Sequence, residues 1–286
     1  MSAPIGVYDS GFGGLTVLRA LMSVLPNADF VYLGDSGRAP YGGRDTHTIL
    51  DFSEQCVEHL FDSGCRLVIV ACHTVSCVGL RHLQRRYAPG PRSDRRVLGV
   101  TIPAAEAAVA TTQGHIGILG TQRTIMSGTF GVEIAKLSSA RVTQVPAPLL
   151  APLVEEGLQH DEIARLAVRR YLHQLGDADT IVLGCTHYPL LIEAFRAELR
   201  PGAHLLDPGP EVARRLLRWL AAHPEFEVSG RGGRRYLCTG DPQAFTELGA
   251  RFLGESLPQV GHISAEAGRL EAAEGPRLPV GQVVRS

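Results

Sequence analysis

Two short apolar segments, each ending in a cysteine beside a threonine and a histidine, constrain the fold of this chain more than any other feature. Residues 68–74 read VIVACHT, and residues 181–187 read IVLGCTH. Such a β-branched run is typical of a buried parallel strand, and open α/β sheets bind ligands at the carboxyl ends of their strands. The pair therefore predicts a site with one thiol on either side of a small molecule.

The first third of the chain alternates between strand-like and helix-like segments. Short apolar runs that end in turns are followed by stretches with apolar residues three and four positions apart, which is the helical period. Strand, loop and helix repeated in this order predict βαβ units and a parallel sheet. The predicted strands are residues 5–8, 30–33 and 67–71, and the helices are a segment from Leu15, residues 46–61 and residues 75–87.

A second set of similar segments begins near residue 97. Residues 115–121 repeat the rhythm of residues 5–10, and Cys185 stands to this second start much as Cys72 stands to the first. An offset of roughly 110 residues is too long for a solenoid repeat and fits a duplicated α/β domain. We therefore expect an α/β protein of two similar parallel-sheet domains, related by a pseudo-two-fold axis, with the active site in the cleft between them.

The predicted domain division follows the two cysteines. Residues 1–98 together with 210–265 form an amino-terminal α/β domain that carries Cys72, and residues 99–209 form a second α/β domain that carries Cys185. Residues 266–286 lack periodicity and are rich in glutamate, alanine, glycine, proline and arginine, so we expect them to be a disordered tail.

Composition argues against several classes of function. The chain has 28 basic and 29 acidic residues and a net charge of −1, which does not suggest a nucleic-acid partner. We expect no membrane segment and no signal peptide, because no apolar run approaches the roughly 18 residues that a spanning helix needs and the chain starts directly with a strand. The sequence thus predicts a cytoplasmic protein that acts on a small molecule.

The sequence also lacks the residue patterns that bind the common cofactors and metals. Lys136 is the single lysine, in a segment typical of a solvated helix face, so a Schiff-base cofactor is not expected. The six cysteines show no zinc-type spacing, and no His, Cys and carboxylate set has metal spacing. The Gly11-x-Gly13 loop has Thr16 where a dinucleotide fingerprint needs its third glycine. We expect neither cofactor nor metal.

Four residues are candidates for proton transfer. A thiol at the end of a strand, where a helix begins, lies at the positive end of the helix dipole, which predicts a lowered thiol pKa for Cys72 and Cys185. Asp9 follows the first strand and His187 follows the second cysteine, and either side chain can assist proton movement. Each also has a structural explanation: packing for the thiols, a helix N-cap for Asp9 and a backbone-bonded loop histidine for His187.

Four ordered motifs resemble the signature motifs of the glutamate racemase family. They are DSGFGGLTV at residues 9–17, GDSGRAPYG at 34–42, ACHT at 71–74 and GCTHYPLL at 184–191. The resemblance covers roughly residues 5–255. It implies a cofactor-independent amino-acid racemase of the aspartate/glutamate racemase superfamily, with its site between two α/β domains.

The resemblance also implies roles for individual residues. Cys72 would remove the α-proton of D-glutamate and Cys185 that of L-glutamate, supported by Asp9 and His187 respectively. The implied substrate-binding residues are Ser10, Thr74 and Thr186 for the α-amino and α-carboxylate groups, Pro40, Tyr41 and Gly42 for the side-chain carboxylate, and His73.

His73 departs from the family pattern, which usually has asparagine there. A histidine is larger than asparagine and titrates near neutral pH. Three hypotheses follow: a glutamate racemase that supplies D-glutamate for peptidoglycan, a racemase of another acidic amino acid such as aspartate, or a non-catalytic regulatory protein on the same scaffold. Two retained thiols favour catalysis, and we expect a homodimer.

Overall fold

The computed structural model describes residues 3–88, 90, 93–265 and 270–272, and its strands form two separate sheets. The strands are β1 (Ile5–Asp9), β2 (Phe30–Gly34), β3 (Leu67–Val70), β4 (Arg96–Gly99), β5 (His115–Gly120), β6 (Arg141–Pro146), β7 (Thr180–Gly184), β8 (His204–Leu206), β9 (Arg234–Cys238), β10 (Val260–Ser264) and β11 (Glu271–Ala272). The α-helices are α1 (Leu15–Val24), α2 (Thr46–Asp62), α3 (His73–Val78), α4 (Leu80–Tyr87), α5 (Thr101–Thr111), α6 (Gln122–Met126), α7 (Thr129–Ala135), α8 (Leu150–Glu155), α9 (Glu162–Gln174), α10 (Ile192–Glu198), α11 (Pro208–Ala222) and α12 (Pro242–Leu253).

The two sheets repeat one strand order. The first sheet runs β11-β10-β9-β2-β1-β3-β4 and the second runs β6-β5-β7-β8, so β2-β1-β3-β4 and β6-β5-β7-β8 are equivalent series. All pairings are parallel except that of β10 with β11. The predicted pair of similar parallel-sheet α/β domains is confirmed, and the two cysteines follow the equivalent strands β3 and β7.

Helices cover both faces of the central strands, which explains why those strands are continuous apolar runs. Every residue of β1, β3, β5 and β7 is buried. Leu15, Leu18 and Leu21 of α1 lie in the core beneath the first sheet. Burying each such leucine contributes about 1.5–3 kcal/mol. This burial fixes the strand ends from which the chemical groups project.

The predicted helix over residues 75–87 is two helices. It breaks at Gly79, which ends α3 and precedes α4. A Cβ at this position would lie 3.1 Å from Leu50 Cδ2, so the missing side chain lets α2 approach the break closely. As a result α3 is a short helix that starts directly after Cys72.

The chain returns to the first sheet after the second sheet is complete. Strands of the first sheet come from residues 5–99 and 234–272, and those of the second from 115–206. The predicted tail disorder does not hold at residues 270–272, because Glu271 pairs with Ser264 of β10. The rest of residues 266–286 lies outside the described residues. No helix in the described part of the chain is both long and apolar enough to cross a membrane.

Candidate active site

A cavity of about 520 Å³ lies between the carboxyl ends of the two sheets. Because Cys72 follows β3 and Cys185 follows β7, both thiols reach it from equivalent positions. Ten of the eleven predicted site residues line it: Ser10, Pro40, Tyr41, Gly42, Cys72, His73, Thr74, Cys185, Thr186 and His187. The eleventh, Asp9, lies buried behind the wall.

Cys72 is a buried thiol at the start of α3. Its side chain is 5% exposed, and Ser10 Oγ lies 3.4 Å from its Sγ. Burial, with a further contribution from the charge of Asp9, raises the pKa of Cys72 to about 12. The expected lowering of this pKa by a helix dipole is wrong for Cys72, because desolvation outweighs the amino terminus of a six-residue helix.

Cys185 has an imidazole as its neighbour. His187 Nδ1 lies 3.8 Å from Cys185 Sγ, and His187 Nε2 lies 2.9 Å from Glu155 Oε1. Burial alone lowers the pKa of His187, but the hydrogen bonds to Cys185 and Glu155 outweigh it and raise this pKa to about 10. His187 therefore carries a proton at neutral pH. It is bonded to two side chains, so the interpretation as a backbone-bonded loop histidine is wrong.

Asp9 is the last residue of β1 and is 1% exposed. Its Oδ1 accepts a 2.9 Å hydrogen bond from Gly11 N–H, and Thr186 Oγ1 lies 3.5 Å from its Oδ2. Burial raises the pKa of Asp9, although the charge of His187 and the backbone N–H groups of the following loop oppose this. Asp9 is not the N-cap of α1, because Gly14 holds that position.

The β1–α1 loop makes one of the contacts between the two halves. A Cβ at Gly13 would lie 2.1 Å from Thr186 Oγ1 and 2.6 Å from His187 Nδ1. Thr16 Oγ1 adds a 3.2 Å hydrogen bond to the carbonyl oxygen of Thr186. A side chain at position 13 would therefore collide with the loop of the other half that carries Thr186 and His187, so this position requires glycine.

His73 lies in the cavity wall with its ring packed inward. It is 2% exposed and stacks on Phe130 with ring centroids 6.2 Å apart. Neither ring nitrogen has a hydrogen-bond partner among the residues that the structure describes. Burial lowers the pKa of His73 to about 3, so the ring is neutral at pH 7. The expectation that His73 titrates near neutral pH is therefore wrong.

The loop at residues 39–44 forms one rim of the cavity, and a buried carboxylate holds it from below. Asp35 accepts hydrogen bonds from the hydroxyl of Tyr41, from Thr239 Oγ1 at 2.6 Å and from Arg38 Nε at 2.8 Å. The Ala39–Pro40 peptide bond is cis. This network fixes the backbone of Pro40, Tyr41 and Gly42 where it faces the cavity.

Comparison with known proteins agrees with this geometry. The profile of the Asp/Glu/Hydantoin racemase family matches residues 16–216. The chain belongs to this family. It is 41% identical over 265 residues to a glutamate racemase of Thermus thermophilus, covering 92% of this chain and 97% of that protein. The resemblance to the racemase superfamily read from the motifs is confirmed.

Solved racemase structures share the whole architecture. A glutamate racemase isoform of Bacillus anthracis superposes with a TM-score of 0.85 at 32% identity, covering 92% of this chain and 97% of that one. A glutamate racemase of Francisella tularensis in complex with D-glutamate gives a TM-score of 0.84 at 29% identity, covering 93% and 99%. This chain therefore has the same overall fold as these racemases.

Three residues of this racemase-family site escaped the sequence reasoning. Glu155 ends α8 and holds His187, but nothing in the sequence distinguishes it from the neighbouring Glu156. Thr121 Oγ1 lies 2.9 Å from Thr74 Oγ1, and the backbone N–H of Arg123 bonds the carbonyl of Gly42. Thr121 and Arg123 lie in residues 116–125, within the region that resembles the family. Their place in that region was the only sequence signal that they belong to the site.

Proposed function

We propose that this protein interconverts L- and D-glutamate without a cofactor, using two thiols as the acid and base. The observation that carries the proposal is the placement of Cys72 and Cys185 at equivalent strand ends around one cavity. Inverting a stereocentre needs a base on one face of the α-carbon and an acid on the other. The relatives that are named glutamate racemases support glutamate as the substrate.

Proton transfer from L-glutamate begins at Cys185 in this scheme. Cys185 removes the α-proton as a thiolate, and Cys72 gives its own proton to the opposite face of the resulting carbanion. Burial and the Asp9 carboxylate leave Cys72 protonated at neutral pH, which is the state that this direction needs. For D-glutamate the two thiols exchange roles, and His187 holds a proton beside Cys185.

Stabilisation of the carbanion comes from hydrogen-bond donors in a site that excludes water. Ser10, Thr74 and Thr186 supply hydroxyl groups at the cavity wall for the α-amino and α-carboxylate groups. The backbone of Pro40, Tyr41 and Gly42 receives the side-chain carboxylate. His73 belongs to the proposed set because residues 71–74 resemble the family motif and His73 lies in the cavity wall.

The proposal also covers the biological role, the compartment, the oligomeric state and the domain division of the enzyme. D-Glutamate made by this enzyme in the cytoplasm serves peptidoglycan synthesis, and the working form is a homodimer. Within each subunit, residues 1–98 with 210–265 act as the domain that carries Cys72, and residues 99–209 act as the domain that carries Cys185.

The direct test follows circular dichroism of L-glutamate and, separately, of L-aspartate with purified protein. Loss of the L-glutamate signal to zero is the expected result. Racemisation of aspartate alone would assign a different acidic substrate, and no change with either would reject racemase activity.

Single-cysteine variants in D₂O test the two-thiol mechanism. Cys72→Ala keeps Cys185 and should exchange the α-proton of L-glutamate but not of D-glutamate, whereas Cys185→Ala should show the reverse. Neither variant should racemise. Cys77→Ala, which changes a buried thiol bonded to Thr101 outside the cavity, is the matched control and should keep wild-type activity. Racemisation at the wild-type rate by Cys72→Ala or by Cys185→Ala would contradict the two-thiol scheme.

A further inference from the structure

Arg123 joins the two halves of the molecule at the mouth of the cavity. It lies in the first turn of α6, on the second-sheet side, and its half-buried side chain lines the cavity. Its backbone N–H bonds the carbonyl of Gly42 at 3.0 Å, and its Nε donates to the carbonyl of Arg44 at 2.7 Å. Both acceptors lie on the 39–44 loop of the first-sheet side.

The charge of Arg123 is unusual for this cavity. Among the described residues that line it, Arg123 is the one arginine or lysine. The lining carboxylate of Glu155 is already paired with His187 at 2.9 Å. Arg44 turns away, since its Nη2 donates to the carbonyl of Arg38 at 2.9 Å. A guanidinium therefore stands beside the loop proposed to receive the substrate side chain, with its charge not matched by a carboxylate of the cavity wall.

We propose that Arg123 determines specificity for an amino acid with an anionic side chain. Its backbone N–H holds Gly42 and its Nε holds Arg44 over the cavity, and its terminal nitrogens bind the distal carboxylate of the substrate. This inference rests on the proposed glutamate racemase function and names the residue that selects the substrate class. A guanidinium binds a carboxylate through two parallel charge-assisted hydrogen bonds, and a neutral amide of the same shape cannot replace them.

Glutamine is the isosteric probe, because it differs from glutamate only in the charge and donors of the side-chain end. The measurement is the pair of dissociation constants for L-glutamate and L-glutamine by isothermal titration calorimetry, with KM and kcat for glutamate alongside. The wild-type protein should favour glutamate. Arg123→Met should weaken glutamate binding roughly 10- to 100-fold, as expected for lost charge-assisted hydrogen bonds, with little effect on glutamine.

One further variant tests the role of the positive charge at position 123, and a second is the matched control. Arg123→Lys keeps the positive charge without the planar fork, so it should retain the preference for glutamate at reduced affinity. Arg170→Met makes the same substitution on an exposed arginine of α9 away from the cavity and should change neither ligand. The kinetic effect of Arg123→Met should fall mainly on KM, because the thiols are untouched.

Equal weakening of both ligands in Arg123→Met, or no change in either, overturns the inference, since the residue would then act only on structure or not at all. If Arg123→Met does not fold, Arg123→Gln offers a neutral donor to the Arg44 carbonyl and gives the same test. Failure of the wild type to racemise glutamate would instead reject the proposed function. A racemising wild type with an unchanged ligand preference in Arg123→Met rejects this inference alone.

Discussion

Cys72 and Cys185 occupy equivalent positions but have different neighbours. A carboxylate and a hydroxyl lie beside Cys72, whereas a protonated imidazole lies beside Cys185. Negative charge near the buried thiol of Cys72 keeps the proton on its sulfur. The cavity is therefore chemically asymmetric, as the proposed action of two thiols on opposite faces of one carbon would require.

At His73 the structure predicts a gain in stability from a hydrophobic substitution. His73→Leu removes two buried ring nitrogens that lack partners among the described residues and keeps a side chain of similar size against Phe130. An unsatisfied buried polar group costs about 1–3 kcal/mol, so the free energy of unfolding at pH 7 should rise by about that amount. Urea unfolding followed by circular dichroism measures it, and His160→Leu on the exposed surface is the control.

The same substitution should reduce the sensitivity of the fold to acid. The pKa of His73 is about 3 in the native state and about 6.5 when the chain is unfolded, so between these values the unfolded state binds a proton that the native state does not. Stability from this group is present above pH 6.5 and is lost as pH falls. A His73→Leu protein that is less stable than wild type at pH 5 would show that the imidazole is satisfied in solution.

Contact between the two halves can be tested at the β1–α1 loop. Gly13→Ala places a Cβ within 2.6 Å of both Thr186 Oγ1 and His187 Nδ1, so the halves must separate or the loop of these two residues must shift. A displacement of about 1 Å in an active site can cost roughly 100-fold in rate, and we expect at least that loss in kcat/KM for glutamate. Circular dichroism of the substrate gives the rate, and far-ultraviolet spectra check that both sheets persist.

Gly131→Ala is the matched control for that change. Its Cβ would meet only the end of the Gln144 side chain, at 3.4 Å, on helix α7. Alanine is the better helix former by up to about 1 kcal/mol, so this variant should keep wild-type activity with unchanged or slightly higher stability. Wild-type activity in Gly13→Ala would mean that the loop contact is not needed for turnover.

Elements with one clear physical signal are the ones that the sequence predicted. Buried strands such as β1, β3 and β7 are continuous apolar runs, and their positions were predicted within a residue or two. The edge strand β6 reads RVTQVP with mostly partly exposed positions, so it carries neither an apolar run nor a clean alternation. The break at Gly79 depends on the approach of α2, which is a tertiary contact.

The site shows the same division between local and long-range information. Motifs placed ten predicted residues around one cavity, because strand ends of parallel sheets converge. Glu155 contacts His187 across 32 positions of sequence, and Arg123 contacts Arg44 across 79. Tertiary packing creates such pairs, within the second-sheet half for Glu155 and His187 and between the two halves for Arg123 and Arg44. The raised pKa of Cys72 likewise depends on burial that no local pattern records.

At the scale of the whole molecule, the chain contains six free cysteines and buries all of them. Burial raises the pKa of five thiols, those of Cys56, Cys65, Cys72, Cys77 and Cys238. The unfolded chain exposes these groups, and there each thiol loses its proton near pH 8.5–9. The native state therefore retains protons that the unfolded state loses in alkaline solution.

Stability is accordingly expected to fall steeply above pH 9. A raised native pKa contributes stability that is complete below the unfolded pKa and is lost as pH rises towards the native value of about 12. With five such thiols the slope approaches about 7 kcal/mol per pH unit, so a fold of ordinary stability should not survive much beyond pH 10–11.

Urea midpoints measured in steps from pH 7 to pH 10.5 give the slope directly. Cys65→Ala removes one thiol remote from the cavity and should lessen the slope by about 1.4 kcal/mol per pH unit. An identical slope in wild type and Cys65→Ala would mean that the buried thiols do not govern alkaline unfolding.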